Sequence, residues 1–230
     1  MKLEQIGEKI WIAEGPTVSF YGFPYPTRMA MVRLDSGDLW VWSPIELDSQ
    51  LRTEVDDLGP VRHLVSPNKI HHLFLGAWAD AWPEARLYAS PGLARRRRDL
   101  TFHAELGNTP DPAWEGQIDQ VVIGGSVVMN EVVFFHRRSA TCLVCDLVQR
   151  HDPSFQTGWK GALMRIDGLV GADGSTPREW RLSFLDRARA RAAVQRALSW
   201  EPESLVIAHG EWVRAGGTAA LRHGLRWLRP

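Results

Sequence analysis

The chain runs twice through one large-scale order, a group of strands and then helices, and this repeated order does most to limit the folds open to it. In the first pass EKIWIAEG alternates and ends in Gly15-Pro16. RMAMVRL and LWVWSP flank Asp35, Ser36, Gly37 and Asp38, a spacing that predicts a hairpin. IELDSQLRTEVDDLG puts Leu47, Leu51, Val55 and Leu58 at helical spacing and stops at Gly59-Pro60. VRHLVSP reads as a short strand, KIHHLFLGAWADAWPEA as a helix with Phe74, Ala77, Trp78 and Ala81 on one stripe, and RLYASPG as another strand. The second pass opens with QVVIGGS, EVVFFHRR and TCLVCDLV, three strands in a mainly antiparallel block. Residues 151–178 predict a long Gly-rich loop, a lid or an interface. A helix over 181–199, the strand SLVIAHG and a helix over 218–228 follow. Two such halves packed face to face make an α+β protein.

Length and hydrophobic content, 230 residues and 44%, suffice for a full core, and the expectation is one domain over 1–230. Lys plus Arg and Asp plus Glu are equal at 27 each, so no global field steers the chain toward nucleic acid or anionic lipid, and no nucleic-acid or membrane partner is expected. The start of the chain lacks a leader pattern, and no apolar run reaches the ~18 residues that span a bilayer, so the expected location is cytoplasmic. Cys142 and Cys145 form a C-x-x-C inside a strand-like run, where they point to opposite faces, which makes them core thiols rather than a redox pair. The 11 Trp fit aromatic packing between layers, with an aromatic-lined pocket as the alternative. Arg95 to Arg98 read as a solvated face, and Ser139 and Ser183 lack the G-x-S-x-G context of a serine hydrolase.

Chemistry concentrates in three segments. His71 and His72 open an apolar helical stretch, Asp146 follows Leu143, Val144 and Cys145, and His209 ends VIAH. A polar side chain at a strand end has its backbone fixed and faces the loops, where layered α/β proteins place their chemistry. A carboxylate after a buried apolar run needs a cation, a metal or backbone donors. Adjacent histidines on a helix diverge by about 100° and cannot both face one ion; at a loop-to-helix junction they can. Gly210 after His209 permits close approach of another group.

The order of these segments resembles the metallo-β-lactamase superfamily, a four-layer αββα sandwich. More closely, SPNKIHHLFLGAW, VVFFHRRSATCLVCDLV and VIAHGE are similar to an uncharacterised family related to that superfamily. The resemblance implies a metal motif that is degenerate here. Pro67, Lys69, His71 and His72 stand where the pattern has His, His, Asp and His, and the region of Met129 and Asn130 stands where it has another His, with His136 nearby. Asp146 and His209 match the Asp and the final His. The implied metal set is therefore His71, His72, Asp146 and His209, with Lys69, Asn130 and His136 as further pocket candidates. Two readings follow. One is a mononuclear metal-dependent hydrolase of an ester, amide or phosphoester that uses zinc, iron or manganese. The other is a metal-free, inactive sandwich acting as a binding or scaffold protein, in which the Lys69 ammonium pairs with Asp146.

Overall fold

A computed structural model describes residues 1–20, 22–171 and 174–230. Among them two sheets form. In the first, β1 (Leu3–Gly7), β2 (Ile10–Phe20), β3 (Phe23–Arg33), β4 (Leu39–Trp42), β5 (Val61–Val65), β6 (Arg86–Ala89) and β7 (Ala104–Glu105) lie side by side in chain order. Neighbours are antiparallel from β1 to β4 and parallel from β4 to β7. The second sheet holds β8 (Ile118–Ile123), β9 (Glu131–His136), β10 (Thr141–Val144) and β11 (Ser204–Ile207) in the order β11-β10-β9-β8. β8, β9 and β10 pair antiparallel, and β11 runs parallel to β10.

Period-two alternation explains why the sheets stack. Ile10, Ile12, Ala30, Val32, Trp40 and Trp42 of the first sheet face Val132, Phe134, Leu143 and Val206 of the second in one shared core. The intervening residues Met29, Met31, Leu39 and Val41 point the other way, onto α1 (Ser49–Leu58), α2 (Leu75–Ala81) and α3 (Leu93–Arg96) through Leu51, Val55, Leu75, Trp78 and Leu93. In the second sheet Val133, Phe135, Cys142, Val144, Leu205 and Ile207 face outward to α5 (Arg178–Ser183), α6 (Arg187–Leu198) and α7 (Gly217–Gly224). Strands buried on both faces carry near-continuous apolar runs, and layered helices on both outer faces complete αββα. Each fully buried aliphatic or aromatic side chain contributes ~1.5–3 kcal/mol. Trp40 sits at the centre of the shared core, with ring centroids 6.1 Å from Trp114 and 5.1 Å from Phe134. Cys142 on β10 and Cys145 just past its end are free, buried thiols that enter different cores.

Some elements differ from expectation. The first helix starts at Ser49 rather than Ile45, because the Asp48 carboxylate caps it by accepting from Leu51 N at 2.7 Å. The second is short: 69–74 forms turns, so His71 and His72 precede α2 and lie outside its first turn. The helix expected over 181–199 is two, broken at 184–186, where Asp186 caps α6 through Arg189 N. Residues 151–178 are not a bare loop. They hold α4 (Gly158–Asp167) and are tied down by bridges between His151 and Val170 and between Gln149 and Ser175; positions 172 and 173 lie outside the described residues. Among the described residues no helix is long and apolar enough to cross a membrane.

Candidate metal centre

The parallel strands β10 and β11 of the second sheet and β5 of the first all end near one place, the position where open sheets gather functional side chains. The register of β10 on β11 pairs Val144 with Ile207, so Asp146 and His209, two residues beyond each, emerge in the same row. Gly210 has φ +96°, and a Cβ there would collide with the carbonyl of Arg150, so the chain can turn away directly after His209 only with glycine. From the opposite sheet, the turn after β5 carries His71. Ser66 Oγ donates to the carbonyls of Asn68 (3.0 Å) and His71 (2.5 Å), and Asn68 Oδ1 accepts from the backbone N–H of Ile70 (3.0 Å) and His71 (3.2 Å). Pro67 O accepts from Val132 N at 2.8 Å, which joins this turn to β9 across the sandwich.

His71 Nε2, His209 Nε2 and the Asp146 carboxylate converge. The two imidazole nitrogens are 3.0 Å apart; His71 Nε2 lies 3.2 Å from Asp146 Oδ2 and His209 Nε2 lies 3.1 Å from Oδ1. The outer nitrogens are engaged elsewhere. His209 Nδ1 donates to the Pro26 carbonyl at 2.8 Å, which makes Nε2 the lone-pair nitrogen of the neutral ring. His71 Nδ1 meets Ser43 Oγ at 2.8 Å, and Ser43 sits in the left-handed region at φ +53°, a conformation costing ~1–3 kcal/mol that tends to occur at functional sites. The Tyr25 ring packs edge-on against His209, with centroids 5.1 Å apart.

Electrostatics sharpen the picture. Burial alone would raise Asp146, but the adjoining His71 and His209 hold it well below the usual carboxylate range. Burial holds His71 below the ordinary imidazole value. In His209 burial acts the same way but is outweighed by Asp146 and by the bond to Pro26, and its value rises. Burial, then the Asp146 charge, push Tyr25 up to about 12. Two imidazole lone pairs and a carboxylate at these separations repel one another unless a positive charge, a proton or a cation, stands between them. The donor chemistry fits a cation: a tetrahedral ion with bonds of ~2.0–2.1 Å to nitrogen requires donors ~3.3 Å apart.

Of the candidates read from sequence, the structure brings His71, Asp146 and His209 together and leaves the others apart. His72 turns away from its neighbour: Arg97 Nη1 donates to its carbonyl at 2.8 Å and stands 3.2 Å from its Nδ1. Lys69 makes no ion pair with Asp146, contrary to the metal-free expectation; Asp146 is taken by the two histidines and by Asn68 Nδ2 at 2.7 Å. Asn130 makes no hydrogen bond to the three. His136 lies at the far end of β9, five residues and ~17 Å from Glu131, bonded to Ser139 Oγ at 2.8 Å. Sequence reasoning missed Asn68, Ser43, Tyr25 and above all Glu131. The one available signal was Glu131 opening the apolar strand EVVFF, one residue beyond the Met129 and Asn130 region. Glu131 is fully buried and accepts from three successive backbone N–H groups, Cys145 (2.8 Å), Asp146 (2.8 Å) and Leu147 (3.0 Å). Burial and the nearby Asp146 charge push it up from the usual carboxylate range, against these donors.

Residues 8–155 match the family described as Domain of unknown function (DUF4336). No curated protein sequence matches the chain. Among solved structures it is similar to a metallo-beta-lactamase from Pontibacter korlensis, with 18% identity over 99% of this chain and 98% of that one and a TM-score of 0.66. It is also similar to one from Hirschia baltica, with 12% identity, 99% and 96% coverage and a TM-score of 0.64. The metallo-beta-lactamase FIM-1 from Pseudomonas aeruginosa, solved in its mono-zinc form, matches with 12% identity, 99% and 94% coverage and a TM-score of 0.63. At these identities the likeness establishes the fold: the chain is a metallo-β-lactamase-like αββα sandwich.

Proposed function

We propose that this chain, which belongs to the DUF4336 family, is a metal-dependent hydrolase of a small-molecule ester, amide or phosphoester that holds one divalent cation with His71, Asp146 and His209. The observation behind this reading is the convergence of two imidazole Nε2 atoms, 3.0 Å apart, on the Asp146 carboxylate, whose two oxygens lie 3.2 Å from His71 and 3.1 Å from His209, while both outer imidazole nitrogens are engaged elsewhere. When bound, such a cation acts as a Lewis acid that polarises a carbonyl or phosphoryl oxygen and lowers the pKa of water.

The chain's own part is to prepare and protect that place. The Pro26 carbonyl fixes the His209 tautomer so that Nε2 presents its lone pair, and Ser43 holds the His71 ring in the facing orientation. Asp146 supplies the negative charge, and its low value keeps it ionised throughout the physiological range. Three protein donors is the number taken by catalytic rather than structural zinc, and two imidazoles with a carboxylate also suit iron. Metal content of untagged protein, measured by plasma mass spectrometry after growth with zinc, iron and manganese, tests this reading. About one equivalent in the wild type, lost in His71→Ala and in His209→Ala, is expected, and a panel of chromogenic esters, amides and phosphoesters then follows. A wild type that takes up none of the three metals would overturn it.

A further inference from the structure

We propose that Asn68 and Glu131 are the positioning residues of the cation site, a pair that sets where the donors stand without itself supplying one; this rests on the metal-binding reading above. Both are fully buried. The Asn68 amide works in two directions. Its Nδ2 donates to Asp146 Oδ2 at 2.7 Å and to Glu131 Oε2 at 3.2 Å, while its Oδ1 accepts from the backbone N–H of Ile70 and His71. One side chain thereby fixes the carboxylate of one donor and the backbone of another, although the two come from different sheets.

Glu131 anchors the remaining segment. Its carboxylate accepts from Cys145 N, Asp146 N and Leu147 N where β10 ends, which holds the backbone that carries Asp146, and Asn68 pairs with Glu131 as an isolated bridge between the sheets. Strand pairing or water could satisfy the same three N–H groups. A buried carboxylate is a costly way to do so unless its reach and its several acceptor sites are needed. Here they are needed, because the same Oε2 that takes Asp146 N and Leu147 N also receives the Asn68 amide. The result is a closed circuit, Glu131 to Asn68 to Asp146 and back through the Asp146 backbone, that leaves the Asp146 side chain one orientation.

Partners that orient metal ligands typically change affinity 10–100-fold when removed. The test titrates metal-free protein with Co²⁺, follows its visible absorption bands, and measures zinc affinity by competition with a chelator. The wild type is compared with Asn68→Ala, Glu131→Gln and Val194→Ala; the last thins the core beneath α6, away from the site, and controls for loss of packing. The expected result is a 10–100-fold weaker zinc affinity and altered cobalt bands in Asn68→Ala and Glu131→Gln, with both unchanged in Val194→Ala. If Asn68→Ala does not fold by circular dichroism, Asn68→Ser and Glu131→Gln are read in its place. Wild-type affinity and bands in the site variants, or an equal loss in Val194→Ala, would overturn the positioning role and leave metal binding intact. A wild type that binds neither Co²⁺ nor zinc would overturn the reading on which it rests.

Discussion

Each end of the four-stranded sheet holds a buried histidine among polar neighbours, and the two ends are built on opposite principles. At the start of β10, His136 meets Ser139 Oγ at 2.8 Å, Ser139 Oγ donates to Thr141 Oγ1 at 2.8 Å, and Thr141 Oγ1 meets Ser204 Oγ at 2.9 Å. Hydroxyls are donors and acceptors at once, so each member of this row can meet its neighbour with a complementary atom. At the other end His71, Asp146 and His209 turn acceptors toward one another, and a positive charge is needed to reconcile them. Both ends bury a histidine; what separates structure from chemistry is whether the polar atoms around it complement or confront each other.

Four measurements bear on this contrast. Phe134 lies midway along β9 in the core shared by both sheets, and Phe134→Ala should cost ~3–5 kcal/mol in urea unfolding. The folded fraction should keep its metal affinity; a loss there would mean that the site depends on general packing. His209→Ala should weaken zinc binding by more than ~100-fold, beyond what an outer partner costs, whereas His136→Ala should leave it unchanged. Equal effects in a competition titration would erase the distinction between the ends.

Protonation gives the third. Burial pushes His136 down to about 4 from the ordinary 6.5, so the unfolded chain takes up a proton that the folded one resists. The neutral ring's contribution is complete above pH 6.5 and is lost as pH falls from there through 4, a loss of about 3 kcal/mol. Urea midpoints at pH 7.5 and 4.5 should therefore diverge more in the wild type than in His136→Gln; equal divergence would show that the ring is not held neutral by the fold. The smallest effect is expected of Thr141→Val, which interrupts the hydroxyl chain at a cost of ~1 kcal/mol and should not alter metal uptake. A shift in cobalt bands in that variant would join two ends that the comparison separates.

The layered order was legible because it is written locally. Period-two runs such as LWVW and EVVFF, and helical spacing in SQLRTEVDDL, identify their elements without reference to the rest of the chain. Asp146 and His209 were legible for the same reason, each being a polar residue just past a buried strand. The same reading overextended the helix at 69–85 and made a loop of 151–178, because propensity cannot see the turn that Ser66 and Asn68 stabilise or the bridges that tie His151 and Gln149 down.

By itself, then, the sequence determined the two strand-and-helix halves and two of the three converging side chains, since apolar period and strand ends depend only on neighbours in the chain. Tertiary structure alone decided that His71 turns inward while His72 goes to Arg97, and that Asp146 pairs with histidines and Asn68 rather than with Lys69. It also decided that Glu131 is at the site and His136 at the opposite end of the same strand. These outcomes rest on register between strands and on contacts across the sandwich. Residues far apart in the chain settle them together, by which donor finds which acceptor once water has been excluded.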